Sequence, residues 1–290
     1  MLIFRATHLG TCFGVRDAIA LALEHADAGP LTILGHLVHN PTVLSALQVK
    51  GVATAQNASD VSTPTLMVTA HGTSDRTLAQ TRALGLTVVE ATCSLVRVAH
   101  RAVMALARDG YHVVIVGQRD HVEVRGLTGD LDAFDVVLDD GDVLALDEHS
   151  RIGVAAQTTQ TTDRVRHLAH LIHRRFPQSD IRVVDTVCRP TKDRQAAAID
   201  IAQRADVVVV VGGGASNNTR QLVATCAKYC ARVHQVETDA DVQLEWFDAV
   251  DAVGLTAGTS TPDDVINRVE ARIRLCGDRS VPSMIAMGSQ

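Results

Sequence analysis

Along this chain, short aliphatic runs alternate with longer stretches in which apolar positions recur every three or four residues. The runs predict strands at residues 31–34, 66–69, 87–90, 112–116, 152–155, 181–184, 206–211, 233–236 and 252–255. Most are continuously apolar, which suits strands buried on both faces of a parallel sheet. Helical periodicity covers residues 15–25, 96–108, 163–175, 194–204, 216–229 and 263–275. Strands alternating with helices predict an α/β fold.

The alternation contains a repeat. In three places a strand ends, a cysteine follows, and a helix begins: His8-Leu9-Gly10-Thr11-Cys12, Val89-Glu90-Ala91-Thr92-Cys93 and Val184-Asp185-Thr186-Val187-Cys188. After each cysteine, at a distance of 23 or 24 residues, a second strand ends in glycine: Gly35, Gly117 and Gly212. Four residues past each glycine stands His39, His121 or Ser216. A third strand then ends in a small polar turn, at Thr69–Ser74, Gln157–Thr159 and Thr256–Ser260. Self-similarity at a fixed period speaks for the whole architecture. It predicts three pseudo-threefold related α/β units, a trefoil-like arrangement of residues 1–92 with Cys12, 93–187 with Cys93 and 188–279 with Cys188, followed by a tail at 280–290.

Composition narrows the chemistry. The 290 residues are 46% hydrophobic, which excludes a disordered chain. A net charge of −6 and 3% aromatic residues argue against a nucleic-acid binder, which needs basic surface or stacking platforms. The most apolar run, Val207–Val211, is far shorter than the roughly 20 residues that cross a bilayer, so no membrane partner is expected. The first residues lack a basic segment followed by a long apolar core, and the chain reads as cytosolic. In that compartment six cysteines are expected as thiols, metal ligands or catalytic groups rather than disulfides.

In open α/β sheets ligands bind beyond the carboxyl ends of the strands, where every repeated polar feature lies. Three copies around an axis bring Cys12, Cys93 and Cys188 to the centre, each at a helix N-terminus whose partial positive charge favours thiolate. Three thiolates suit an iron–sulfur cluster with one iron lacking a cysteine. They suit zinc less well, because structural zinc favours closely spaced pairs. Cys226, Cys230 and Cys276 lie on helical faces outside the repeat and read as small core residues. Around the trio stand imidazoles, hydroxyls and amides, His39, His71, His121, Ser216, Asn218 and Ser260, donors able to hold a phosphate or diphosphate. Glu123 is the one carboxylate tied to a repeated motif and the candidate proton donor, with Thr158 as a relay hydroxyl. His8, His25, His36, His100 and His112 have no place in the repeat and receive no role. Gly212-Gly213-Gly214 lacks the spacing of a dinucleotide loop.

At these residues the sequence resembles the 4-hydroxy-3-methylbut-2-enyl diphosphate reductases of the non-mevalonate isoprenoid pathway, from about residue 8 to about residue 275. The motifs, in family order, are Gly10-Thr11-Cys12-Phe13-Gly14-Val15, Val38-His39-Asn40, Ala70-His71-Gly72, Ala91-Thr92-Cys93 with Leu95-Val96, and His121-Val122-Glu123-Val124 with Gly126. Gln157-Thr158-Thr159, Cys188 with Arg194-Gln195, Ser216-Asn217-Asn218 and Thr256-Ala257-Gly258-Thr259-Ser260 complete them. The resemblance implies a three-lobed α/β fold around a [4Fe–4S] cluster held by Cys12, Cys93 and Cys188, which loses an iron to [3Fe–4S] in air. It implies removal of an allylic hydroxyl as water, giving isopentenyl and dimethylallyl diphosphates. Glu123 and Thr158 would be catalytic. His39, His71, His121, Thr158, Ser216, Asn217, Asn218 and Ser260 would bind substrate, and ferredoxin or flavodoxin would donate electrons.

Departures from the family pattern fall at Ser94 and Val122, where proline is usual, at Asn217, where serine is usual, and at Gly213-Gly214. They touch the diphosphate pocket and leave open a diverged paralogue acting on another allylic or phosphorylated substrate. A non-catalytic cluster-binding sensor is a second alternative, which retention of Glu123 and Thr158 opposes. A zinc hydrolase built on the Cys and His groups is a third.

Overall fold

The computed structural model describes residues 1–38 and 40–279; His39 and the expected tail 280–290 lie outside the described residues. β1 (Leu2–Arg5) opens the chain, followed by α1 (Phe13–Ala28), β2 (Leu31–Leu34), α2 (Pro41–Val49), β3 (Ala53–Ala55), β4 (Thr65–Val68), α3 (Asp75–Ala83) and β5 (Thr87–Glu90). Next come α4 (Ser94–Arg108), β6 (His112–Val116), α5 (Val122–Thr128), β7 (Phe134–Val137), α6 (Asp140–Leu144), β8 (Arg151–Ala156), α7 (Thr162–Arg175) and β9 (Asp180–Val183). α8 (Arg189–Ala202), β10 (Val207–Val211), α9 (Asn217–Cys226), β11 (Val233–Val236), β12 (Ala252–Ala257) and α10 (Asp263–Arg279) complete the order.

The strands form three four-stranded parallel sheets, ordered β3-β2-β4-β5, β7-β6-β8-β9 and β11-β10-β12-β1. The α/β class expected from the alternation is therefore present as three copies of one strand order. In each copy the two inner strands carry the continuous apolar runs. In β10 the five valines Val207 to Val211 are all fully buried. Val207, Val209 and Val211 face a core with Val265, Ile266, Val269 and Ile273 of α10. Val208 and Val210 face a second core with Ile201 of α8 and Leu222 of α9. β6 behaves alike: Val114 and Val116 pack with Leu168 and Ile172 of α7, Val113 and Ile115 with Val103 and Leu106 of α4. Successive side chains of a strand point to opposite faces, so helices on both sides leave no polar face.

The boundary expected for the first unit, 1–92, needs correction at its start. β1 does not join the first sheet; it pairs parallel to β12, Leu2 opposite Ala252 and Arg5 opposite Leu255, and supplies the fourth strand of the third. The chain divides into two compact bodies. Cys12–Lys192 holds the first two sheets, and Met1–Thr11 with the chain from Asp193 onward holds the third. No helix among the described residues is long and apolar enough to cross a membrane.

The repeat is visible bond by bond. The backbone N–H of Gly35 donates to Ala55, that of Gly117 to Val137 and that of Gly212 to Val236. Each acceptor is the last residue of the adjacent edge strand, so the three glycines end their strands identically. Connectivity gives the cysteines their common context. Each follows the fourth strand of one sheet (β1, β5 or β9) and precedes the helix that leads into the first strand of the next, β2, β6 or β10.

Candidate active site

The cysteines of the repeat differ from the others in their surroundings. Cys12 and Cys93 are the N-caps of α1 and α4, and Cys188 stands one residue before α8. All three are half-buried, whereas Cys226, Cys230 and Cys276 are buried, and no disulfide joins any of the six. Within the Cys12–Lys192 body, Gly14 allows a close approach: a Cβ there would lie 2.5 Å from Cys93 Sγ. The first turn of α1 thus packs directly on Cys93, and only glycine fits. Burial raises the thiol pKa of Cys93, backbone N–H groups of Leu95 and Val96 pull it down, and the charges of Cys12 and Glu123 raise it again. Cys188 is likewise raised by burial, lowered by the hydroxyl and N–H of Thr191, and raised by Glu123 and Cys12. For Cys93 and Cys188 the helix N–H groups act toward thiolate, as expected of a helix N-terminus, and burial outweighs them. Three thiols from three helix starts, each within electrostatic reach of another, are donors for a thiophilic metal group. Cys226 shows the contrast. Burial first and Cys230 second push it to about 12, and its thiol donates to the Ala198 carbonyl.

Glu123 lies in the first turn of α5 and is 1% exposed. Its carboxylate accepts the N–H of Thr158 at 2.6 Å and a second bond from the Thr158 hydroxyl. Burial raises its pKa to about 7 against these two donors. Thr158 follows β8 and itself accepts the backbone N–H of Cys188 at 3.0 Å, so one loop residue holds both the acid and a cysteine backbone. His121 is the N-cap of α5, its Nδ1 accepting the N–H of Glu123 at 3.1 Å. That bond uses the lone pair of Nδ1 and leaves Nε2 as the ring's other polar atom. The ring of His71 meets that of His121 edge to face, 5.4 Å between centroids. Glu123, Thr158, His71 and His121 are therefore gathered on the body that holds the three cysteines.

The remaining predicted donors lie in the other body, at the carboxyl ends of β10 and β12. Ser216 caps α9, its hydroxyl accepting the N–H of Thr219. Asn217, Asn218 and Ser260 are all buried. Asn218 Oδ1 accepts the N–H of Thr259 at 3.0 Å, which ties the α9 start to the β12 turn. A Cβ on Gly258 would meet Thr219 Oγ1 at 2.3 Å, so this turn needs glycine to admit α9. Asn218 Nδ2 and the hydroxyls of Ser260, Thr219 and Thr256 are buried with no hydrogen-bond partner among the described residues. Buried donors left unpaired cost about 1–3 kcal/mol each and mark a place where a polar ligand is accommodated.

A family model for LytB protein matches residues 3–274. The chain belongs to the LytB family. A curated LytB relative from Trichlorobacter lovleyi, named 4-hydroxy-3-methylbut-2-enyl diphosphate reductase, is 37% identical over 93% of this chain and 98% of its own. Among solved structures, the E-1-hydroxy-2-methyl-but-2-enyl-4-diphosphate reductase from Plasmodium falciparum superposes with a TM-score of 0.88 at 25% identity, covering 93% of this chain and 87% of that one. A second, titled (E)-4-hydroxy-3-methyl-but-2-enyl diphosphate reductase, gives 0.66 at 33% identity over 95% and 100%. The chain is thus an enzyme of the LytB family with that family's α/β fold.

Two departures from the LytB motif pattern, Ser94 and Val122 in place of proline, acquire a common explanation, and Asn217 shares their position. Ser94, Val122 and Asn217 are the first residues of α4, α5 and α9. At a first helical position proline is favoured because its missing N–H has no intrahelical partner anyway. Serine, valine or asparagine there keeps the helix start, and the caps Cys93, His121 and Ser216 stay in place. Sequence reading missed Thr191, fully buried on α8 with its hydroxyl 3.1 Å from Cys188 Sγ. Its signal is the i+3 spacing from a cysteine at a helix start. Gln157, named in the sequence only as part of the turn after β8, has a structural part: its Oε1 accepts from Gln118 N–H and Gln160 Nε2, joining the ends of β6 and β8.

Proposed function

We propose that this chain reduces (E)-4-hydroxy-3-methylbut-2-enyl diphosphate to isopentenyl and dimethylallyl diphosphates. The allylic C–O bond breaks, two electrons and two protons enter, and the hydroxyl leaves as water. The observation that carries this reading is the buried acid: Glu123, with a pKa near 7, is held by Thr158 in the electrostatic neighbourhood of Cys93 and Cys188.

Cys12, Cys93 and Cys188 would hold a [4Fe–4S] cluster with one iron lacking a cysteine. Support comes from the donor set: thiols with N–H and hydroxyl donors already aimed at Cys93 and Cys188, and one α1 turn packed on Cys93. When bound, the cluster supplies electrons received from ferredoxin or flavodoxin. The protein's own groups do the rest. Glu123 is protonated near neutrality and gives its proton to the leaving oxygen, with the Thr158 hydroxyl as relay. His39, His71 and His121 and the hydroxyls and amides of Ser216, Asn217, Asn218 and Ser260 hold the diphosphate. The unpartnered Asn218 Nδ2 and Ser260 Oγ support that assignment. Cytoplasmic residence fits the absence of a membrane-length helix among the described residues.

Anaerobically purified protein with a strong chemical reductant and this diphosphate is expected to form both products and to carry about four iron atoms per chain. Cys12→Ser, Cys93→Ser and Cys188→Ser should each lose most of the iron, while Cys226→Ser, Cys230→Ser and Cys276→Ser keep it. Equal iron loss in both sets would overturn the cluster assignment. A brown, iron-replete protein inert on this substrate would point to the diverged paralogue.

A further inference from the structure

Two clusters outside the repeat place three metal-ligating side chains within 4.8 Å of one another: Asp75, His100 and Asp130, and His112, Asp135 and His149. In the first, the carboxylate is already committed. Asp130 accepts the N–H groups of Asp75 and Arg76 at 2.8 Å each and binds His100 Nε2 at 2.9 Å. It fastens the start of α3, and its lone pairs are spent there. The second cluster is different. Asp135 meets only His112 Nε2, at 2.8 Å, in the hydrogen bonds of the described residues, and none of those bonds reaches the His149 ring.

We propose that His112, Asp135 and His149 form a binding site for a divalent transition metal of the zinc class, independent of the reductase reading. The backbone builds it. β6 and β7 are adjacent and parallel, with Val114 opposite Asp135, so His112 and Asp135 share one face of the sheet as diagonal neighbours. His149 enters from the loop before β8, where Ser179 Oγ donates to its carbonyl at 2.7 Å and the Asp180 N–H to that of Ser150 at 2.9 Å. The two imidazoles lie parallel, 3.7 Å between centroids and 6° between planes. All three residues are half-buried, which limits competition from water.

Two imidazoles, one carboxylate and no thiolate select zinc, nickel, cobalt or copper rather than calcium or magnesium. Three protein ligands leave a position for water. The site lies at the amino end of β6, about 13 Å of strand away from the Gly117 end that leads to Glu123. A metal there would clip together β6, β7 and the entry to β8, a structural role rather than a step in catalysis.

The test is to equilibrate the cluster-loaded protein with zinc, remove loosely held ions by dialysis, and count zinc per chain by elemental analysis. Wild type is expected to retain about one zinc. His149→Gln and Asp135→Asn should retain none, and His100→Gln should match wild type. Zinc-edge X-ray absorption of wild type needs no variant: the expected shell is nitrogen and oxygen at about 2.0–2.2 Å, whereas cysteine-bound zinc shows sulfur at about 2.3 Å. No retained zinc, a sulfur shell, or loss in His100→Gln with retention in His149→Gln would each overturn the site.

Discussion

The carboxyl ends of the second and third sheets occupy the same place in the repeat and are built to opposite standards. Gly117 and Gly212 close their strands with the same backbone bond. Beyond Gly117, the polar groups satisfy one another. His121 takes the N–H of Glu123, Glu123 takes both donors of Thr158, and Gln157 takes Gln118 and Gln160. Beyond Gly212, Asn218 spends its oxygen on Thr259 and leaves its amide N–H groups unpaired, as do the hydroxyls of Ser260, Thr219 and Thr256. One end is closed on itself and tunes an acid. The other holds buried donors with no partner among the described residues. The two ends share one backbone arrangement, and a few side chains make them differ.

The sharpest way to break this contrast is at the acid. Glu123→Gln keeps shape and removes the proton, so turnover should fall about 10²–10⁴-fold with iron content and diphosphate affinity unchanged. Retention of most turnover with a strong chemical reductant would shift the acid to His121.

The same substitution carries a stability signature. Burial lifts Glu123 from 4.5 to about 7, so between those values the folded chain holds a proton that the unfolded chain has released. Stability therefore falls as pH rises through that window, by about 3 kcal/mol in total. Urea unfolding of wild type and Glu123→Gln at pH 5 and pH 8.5 reads the difference: wild type should lose the larger share. Parallel pH profiles would mean that the carboxyl is not held neutral by the fold.

At the third sheet, Ser260→Ala should weaken diphosphate binding about tenfold, since a hydrogen bond to a charged group is worth roughly 1.5–3 kcal/mol. It should leave stability unchanged or slightly higher, because the hydroxyl is buried without a partner. A clear loss of stability would show that the serine is already bonded within the protein, and the contrast between the two ends would dissolve. The smallest effect is expected for Thr158→Val, where water can stand in for a relay hydroxyl: a turnover loss well below that of Glu123→Gln, measured in the same assay.

Much of this was legible in the sequence because the inner strands are buried on both sides. Val207–Val211 and His112–Val116 read as strands at once, and their glycine ends gave the repeat. β1, β3 and β7 escaped, and each is an edge strand with a partly exposed pattern of three or four residues. α2, α3, α5 and α6 are too short for periodicity to declare itself, although Asn40, Ser74, His121 and Asp139 cap them in plain view. The cysteine trio, Glu123 and Thr158 were found through matched spacing. Thr191 was not, because a partner that acts by hydrogen-bonding another side chain leaves no period in the chain. The raised pKa of Cys93 and Cys188 escaped for a similar reason: helix starts can be read from sequence, and the depth of burial that outweighs them cannot.

The placement of β1 has a consequence for how the molecule is made. Leu2 leaves the ribosome about 250 residues before its partner Ala252. At roughly 5–20 residues per second, that wait lasts on the order of 10–50 s. Residues 12–192 can complete two sheets in that time while the opening strand stays unpaired. Met1 then settles against Gly277, so both ends of the described chain meet in the last sheet to form. A circular permutant that joins these ends and opens elsewhere would let β1 follow β12 from the ribosome and remove the wait.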